Sequence, residues 1–305
     1  MNEEIVVEAS NIAKSYKDVT ALTDLSLQVS QGQRCVLLGP NGAGKSTFLN
    51  LILGVLKVDR GSLSVFGKTP GHISIRRLTG AMLQISGIPS TLKVQEHLKL
   101  FRTYYHQPLS TDELVRIARL EGLERRTFGS LSGGQQQRLN FALALCGNPK
   151  LLILDEPSTS HDVEARMALW DEVDQLVSTE RTLLLATHNL QEAERLGDRI
   201  LIFHDGRVIA DASPAKLRSM IGTTEISAQT NVNVDVFERN HQVKRIEHVN
   251  NHLRLYVSEA ESTVRQLLQL DPNLKNLAVK PASLQDAYLH LLSPARFDGD
   301  YRASD

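Results

Sequence analysis

A lysine, a hydroxyl and three glycines stand together in Gly39-Pro40-Asn41-Gly42-Ala43-Gly44-Lys45-Ser46-Thr47, with the spacing G-x-x-x-x-G-K-[ST]. Residues of these types in this order can hold a nucleoside triphosphate. The glycines let backbone N–H groups turn inward on the phosphates, Lys45 reaches the β- and γ-phosphates, and the Ser46 hydroxyl can bind Mg²⁺. A second cluster is Asp155-Glu156-Pro157, two adjacent carboxylates that close the apolar run Leu151-Leu152-Ile153-Leu154. A carboxylate ending a buried strand beside a phosphate loop has Mg²⁺ as a natural partner, and the neighbouring Glu156 can orient or deprotonate water. Another apolar run, Thr182 to Ala186, ends in Thr187-His188. His188 there can donate to a γ-phosphate or serve the structure alone. Leu131-Ser132-Gly133-Gly134-Gln135 opens a helical pattern, so a serine and two glycines make a second anion-binding helix start. Tyr16, shortly before the phosphate loop, can stack on a purine or pack as a surface tyrosine.

The hydrophobic pattern supplies the elements that hold these residues. Arg34 to Leu38 reads as a buried strand and Thr47 to Leu53 as a helix, the context the phosphate loop requires. Leu151 to Leu154 reads as a central parallel strand. Ile5, Val7 and Ala9 alternate with polar neighbours, and Leu22, Leu25, Leu27 and Val29 follow at mostly two-residue spacing, predicting a small antiparallel sheet. Gly61 to Gly67 and Gly80 to Gln84 are short strands, the latter ending on an amide, Gln84. Thr91 to Tyr105 is helical, and Ser110-Thr111-Asp112-Glu113 opens a further helix with a capping box. Leu201 to Ile209 reads as a hairpin turning on Asp205-Gly206. Ser213-Pro214 caps a helix that stops at Gly222, which sets the domain boundary. Beyond it, strands over 225–229, 243–248, 253–257 and 277–280 alternate with a helix over 264–270 and a last amphipathic helix from Pro281. This predicts an α+β appendage, for which a ferredoxin-like arrangement is one form. The expected division is residues 1–222, 223–295 and a polar tail, 296–305.

Composition narrows the class. The chain has 305 residues, enough for one large domain and a smaller one, and 41% hydrophobic with 23% charged residues is the balance of a globular protein. No apolar run approaches the ~18 residues that span a bilayer. Met1-Asn2-Glu3-Glu4 is acidic where a secretory signal is basic, so a cytosolic location is expected. A net charge of −1 gives no electrostatic case for nucleic acid. The two cysteines, Cys35 and Cys146, fall in apolar stretches and read as core thiols.

Together the phosphate loop, Leu131 to Gln135 and Leu151 to Pro157 closely resemble the ATP-binding subunits of ABC transporters, in that family's order. The resemblance covers Ile5 to about Gly222. It implies an α/β fold of the P-loop NTPase type, with a mostly parallel sheet core, an antiparallel β subdomain and a helical subdomain, here followed by the small α+β appendage. It implies ATP and Mg²⁺ as cofactors and ATP hydrolysis as the activity. By motif, Tyr16 matches the adenine-stacking aromatic and Gln84 the glutamine that links Mg²⁺ and attacking water to the membrane partner. Asp155 matches the Mg²⁺ ligand, Glu156 the general base and His188 the switch histidine, while Ser132 and Gly134 match residues that touch the γ-phosphate of another subunit. The partners implied are a second copy or a paired ATPase subunit, and an integral membrane permease on whose inner face the chain sits. One departure is Ser160-His161-Asp162, where His161 replaces an apolar residue near the dimer seam; a tolerated substitution or a pH-sensitive contact are both open. Pro281-Ala282-Ser283-Leu284-Gln285-Asp286-Ala287-Tyr288 resembles the ending of ATPase subunits of drug, antibiotic and polysaccharide exporters, which favours export over import. The competing reading is a soluble ATPase of the same class acting in translation or DNA repair. A single cassette and no long heptad insertion argue against it, and intact Lys45, Asp155 and Glu156 argue against a non-hydrolysing regulator.

Overall fold

The computed structural model describes residues 4–83, 87–159, 163–177, 181–220, 222, 224–238 and 240–292. The chain divides into two compact units at Asp211 and Ala212. In order, the first contains β1 (Ile5–Tyr16), β2 (Val19–Ser30), β3 (Arg34–Leu38), α1 (Lys45–Ile52), β4 (Arg60–Val65), α2 (Ile73–Leu78), β5 (Thr79–Met82), α3 (Val94–Arg102), α4 (Thr111–Ile117), α5 (Gly133–Leu145), β6 (Leu151–Asp155), α6 (Val163–Leu176), β7 (Thr182–Thr187), α7 (Leu190–Leu196), β8 (Arg199–His204) and β9 (Arg207–Ala212). The second contains α8 (Pro214–Met220), β10 (Thr224–Gln229), α9 (Asp235–Glu238), β11 (Val243–Val249), β12 (His252–Val257), α10 (Ala260–Leu270), β13 (Lys275–Pro281) and α11 (Leu284–Leu292). Helix α8 packs against α11, so it goes with the second unit, whereas the sequence pattern closes the first at Gly222.

The central sheet of the first unit runs β5-β6-β7-β3-β8-β9. Strands β5, β6, β7, β3 and β8 are parallel neighbours. Every residue of β6 and β7 is buried, which is why both read as unbroken apolar runs rather than as alternation. The β8–β9 hairpin turns on Asp205 and Gly206, both at positive φ, 46° and 73°, as a two-residue type I′ turn requires. The thiols of Cys35 and Cys146 are buried, and burial pushes each up to about 12.

A second, antiparallel sheet has the order β2-β1-β4. The three-residue step from Leu22 to Leu25 interrupts simple alternation, and the structure supplies the reason. Asn11 and Asp24 take φ values of 49° and 50°, and the β1–β2 register shifts on both sides of Ile12. All four predicted core residues of β2 are buried as a result. The same irregularity corrects one expectation: a shift between Ile5 and Val7 leaves Ile5 37% exposed and turns Val6 inward.

The second unit carries a four-stranded antiparallel sheet in the order β11-β12-β10-β13. With helices α9 and α10 interposed, this is the βαββαβ order and strand arrangement of a ferredoxin-like domain. Its core gathers Ile226, Phe237, Leu253, Leu255, Val257 and Leu267.

Two contacts position the functional parts. Helix α1 buries Phe48, Leu49, Leu51 and Ile52, and Phe48 meets the Phe203 ring with centroids 6.1 Å apart. Each such side chain contributes about 1.5–3 kcal/mol, which anchors the helix that begins at Lys45. Strand β5 lies against α5 so closely that a Cβ at Gly80 would stand 1.9 Å from the Ala144 carbonyl oxygen. We expect Gly80→Ala to destabilise the fold by about 1–3 kcal/mol through overpacking. Thermal melting by circular dichroism checks this, and an unchanged midpoint would refute the close packing.

Candidate active site

Parallel strands end on one edge of their sheet, so the turns after β3, β6 and β7 fall side by side. The phosphate loop follows β3, Asp155 and Glu156 lie at the end of β6, and His188 follows β7. Backbone bonds knit the three turns: Gly39 N–H donates to Thr187 O at 3.3 Å and Glu156 N–H to Ala186 O at 2.9 Å. The glycines of the loop serve different needs. A Cβ at Gly39 would meet the Phe203 carbonyl oxygen at 2.3 Å, while Gly44 takes φ 103° at the start of α1. These two positions fix the curl that turns the N–H groups inward.

A cavity of about 230 Å³ lies in this turn cluster, lined by Asn41 through Thr47 together with Glu156. A larger hollow, about 550 Å³, lies on the second unit's sheet. The polar side chains there bond to one another, Asn276 to Gln229 and Gln229 to His252, with Arg254 between Glu225 and Glu247. The phosphate loop, with its inward N–H groups and buried cation, is the better candidate for chemistry.

Lys45 is 5% exposed, and its Nζ donates to the carbonyls of Gly39 and Pro40 at 2.7 and 3.0 Å. Burial lowers its proton affinity, against the opposing pull of Glu156 and Asp155. Glu156 Oε1 stands 3.8 Å from Lys45 Nζ. Its other oxygen, Oε2, lies 2.8 Å from His188 Nδ1. Glu156 reaches this position through a left-handed backbone, φ 51°, uncommon for a residue with a side chain. Asp155 is buried, and loss of water raises its pKa above the ordinary carboxylate value, partly offset by a hydrogen bond with the Ser46 hydroxyl. Its Oδ1 has no hydrogen-bond partner among the described residues. An acceptor-only oxygen buried without a donor, beside a hydroxyl, fits a divalent cation.

The other predicted residues stand apart from this cavity. Ser132 caps α5 with a reciprocal box: Gln135 N–H donates to Ser132 Oγ at 3.3 Å and Ser132 N–H to Gln135 Oε1 at 3.0 Å. Neither these two nor Gly133 and Gly134 line the cavity of the loop. Tyr16 ends β1, 43% exposed, with the Lys14 ammonium 5.9 Å from its ring centroid, and does not line the cavity either. Gln84, Ser160, His161 and Asp162 lie outside the described residues. Sequence reasoning passed over the buried polar group behind the site, Ser158, Thr187 and Glu192. The only sequence signal was a glutamate in the first turn of α7, where acids are ordinary.

A family model described as ABC transporter matches residues 22–159, from β2 to just beyond Glu156. The Nod factor export ATP-binding protein I of Rhizobium johnstonii is 34% identical over 299 residues, which cover 94% of each chain. The chain belongs to the family of ABC transporter ATP-binding subunits. A protein of the same name from Ralstonia nicotianae is 36% identical over 219 residues, covering 70% of this chain and 68% of that one. Among solved structures, an ATP binding subunit of an ABC transporter overlays with a TM-score of 0.64 at 30% identity, over 71% of this chain and 93% of that one. The dimeric cassette MJ0796, in a post-hydrolysis state with ADP and Pi, gives a TM-score of 0.63 at 27% identity, over 68% of this chain and 98% of that one. This ABC subunit is accordingly an ATPase coupled to transport, and ABC subunits of its kind dimerise and work with a membrane partner. Among the described residues no helix is long and apolar enough to cross a membrane. The translation or repair reading is not favoured by these relatives.

The buried position of Lys45 makes a direct test. With Lys45→Ala the phosphates lose their one close lysine, and ATP affinity is expected to fall by roughly 10- to 100-fold, the worth of a charge-assisted hydrogen bond. Titration calorimetry on the subunit measures it, and unchanged affinity would remove Lys45 from the site.

Proposed function

We propose that this ATPase drives export through a separate permease, and that each ATP is hydrolysed between two copies, or a copy and a paired ATPase subunit, placed head to tail. The observation that carries the reading is the one-sided cavity: the loop and Glu156 line it, while the anion-suited start of α5 stands outside it. A second protomer can bring its own Ser132 hydroxyl and Gly134 N–H to the γ-phosphate. Lys45 exchanges the carbonyls of Gly39 and Pro40 for phosphate oxygens, and Tyr16 stacks on the adenine. Ser46 and Asp155, joined by Gln84, would hold Mg²⁺, which would offset phosphate charge. Glu156 accepts a proton of the attacking water as the water oxygen bonds to the γ-phosphorus and the bond from that phosphorus to the β–γ bridging oxygen breaks, releasing ADP, and His188, half exposed, turns from Glu156 to a γ-phosphate oxygen.

Binding therefore joins the protomers through the γ-phosphate, and phosphate loss weakens the contact. That cycle can move a permease gripped near Gln84 and hold the chain at the inner face of the membrane. The permease lines the transport path, so cargo choice resides there. Export is supported by relatives that match this chain across both units: the Nod factor export ATP-binding protein I of Rhizobium johnstonii aligns with it over 94% of its own length.

Glu156→Gln keeps size and polarity but removes the base, so turnover is expected to fall by roughly 10²-fold or more with nucleotide binding retained. A near wild-type rate would remove Glu156 from that role. The same variant with Mg·ATP is expected to run as a dimer in light scattering. With ADP, or with Ser132→Arg added, it is expected to be mainly monomeric. Equal dimerisation of the double variant with ATP would overturn the shared-site reading.

A further inference from the structure

Glu192 is fully buried, in the first turn of α7, and does not do what its position suggests. A glutamate three residues after a cap ordinarily reaches back to the cap's N–H. Here that N–H, of Asn189, already donates to Thr187 Oγ1 at 2.9 Å, and the Asn189 side chain caps Gln191 and Glu192. Glu192 turns inward instead, where Trp170 Nε1 of α6 donates to its Oε1 at 2.9 Å. The hydroxyls of Thr187 and Ser158 lie near the same carboxyl, whose second oxygen, Oε2, is buried without a hydrogen-bond partner among the described residues. Thr187 is the residue before His188, and Ser158 lies two residues after Glu156. One carboxyl thus bonds to α6 and stands beside both turns that carry the Glu156–His188 pair.

We propose that Glu192 is a positioning residue for ATP hydrolysis, holding the Glu156 turn beside the His188 turn so that both side chains, 2.8 Å apart in the free chain, stand ready at the phosphate loop. The inference rests on Glu156 acting as the base. A neutral carboxyl suits the task, since it both donates and accepts. Burial, the largest influence, and the charge of Glu156 both favour the protonated form, while the Trp170 N–H and the nearby hydroxyls of Thr187 and Ser158 oppose it. Glutamine copies a neutral carboxyl in size and in having a donor and an acceptor; alanine does not.

In the full-length protein, Glu192→Ala is expected to lower kcat by roughly 10- to 100-fold, the scale set by small misplacements of catalytic groups. Affinity for ATP is expected to stay within about 2-fold, because the phosphate loop is untouched, and Glu192→Gln to restore kcat to within about 3-fold of wild type. A folded Glu192→Ala protein with wild-type kcat would overturn the inference. So would a parallel loss of kcat and affinity, or a Glu192→Gln protein as slow as the alanine variant. Should Glu192→Ala fail to fold, Trp170→Phe decides: removing the indole N–H is expected to lower kcat at unchanged affinity, and an unchanged kcat would overturn the inference. Glu156→Gln run alongside separates the two readings. If it hydrolyses at the wild-type rate the base assignment fails, whereas a slow Glu156→Gln beside a fast Glu192→Ala removes Glu192 alone.

Discussion

Lys45, Asp155 and Glu156 put one positive and two negative charges into a place that the sheet edge and the phosphate loop have largely closed to water. None of the three is at ease there alone. Burial lowers the proton affinity of Lys45 and raises that of Asp155, and each shift is opposed by a neighbour of the other sign. In the free chain the balance is local: Lys45 lies on two loop carbonyls, Asp155 faces the Ser46 hydroxyl, and Glu156 leans on His188. An oxygen of Asp155 and one of Glu156 still have no hydrogen-bond partner among the described residues. ATP brings anions for the lysine and the loop N–H groups, and in the reading proposed above a divalent cation would meet the carboxylates. The site is built around charges that it does not itself contain.

Holding such a cluster demands backbone rigidity, and the parallel sheet provides it. Because β3, β6 and β7 are neighbours pointing the same way, their carboxyl ends lie side by side, and each strand stays buried to its last residue. The chain must turn there, and backbone bonds tie the turns. The left-handed backbone of Glu156 is the local cost, about 1–3 kcal/mol for a non-glycine residue. Surrounding buried strands keep it in place. Glu192, Trp170, Ser158 and Thr187 extend this rigidity one layer deeper, joining the turns to α6 and α7.

What the sequence displayed was whatever depends on local backbone chemistry. Glycines at the loop, the apolar runs of β6 and β7, the Asp205-Gly206 turn and the capping boxes at Ser110 and Ser132 each have a short-range cause, and each appears in the structure. The strands of the second unit were legible for the same reason, but their order was not, because pairing β10 between β12 and β13 is a long-range choice. The inward turn of Val6 depends on a register shift against β2, which no alternation within β1 reveals. Glu192 was hidden in a similar way: its meaning comes from an indole 22 residues away in sequence, and an acid in a first helical turn has a sufficient local explanation.

The same local rule, used in reverse, connects the two phosphate-suited helices. Helices α3, α4, α6 and α10 carry an acidic residue in the first turn, which offsets the partial positive charge of the helix start. Helices α1 and α5 carry none there, and neither do the shorter α2 and α8. At α1 a glycine and a buried lysine take the place of the acid, and at α5 a serine and two glycines do, with the Ser132 and Gln135 side chains closing a neutral box on each other. Each start is therefore left electropositive by its own sequence, and each calls for an anion from outside. In the head-to-tail pairing proposed above, a single γ-phosphate between Lys45 of one protomer and Ser132 of its partner would answer both needs, and its departure as phosphate would expose both again. The pairing of subunits and the breaking of a phosphate bond then have one electrostatic origin.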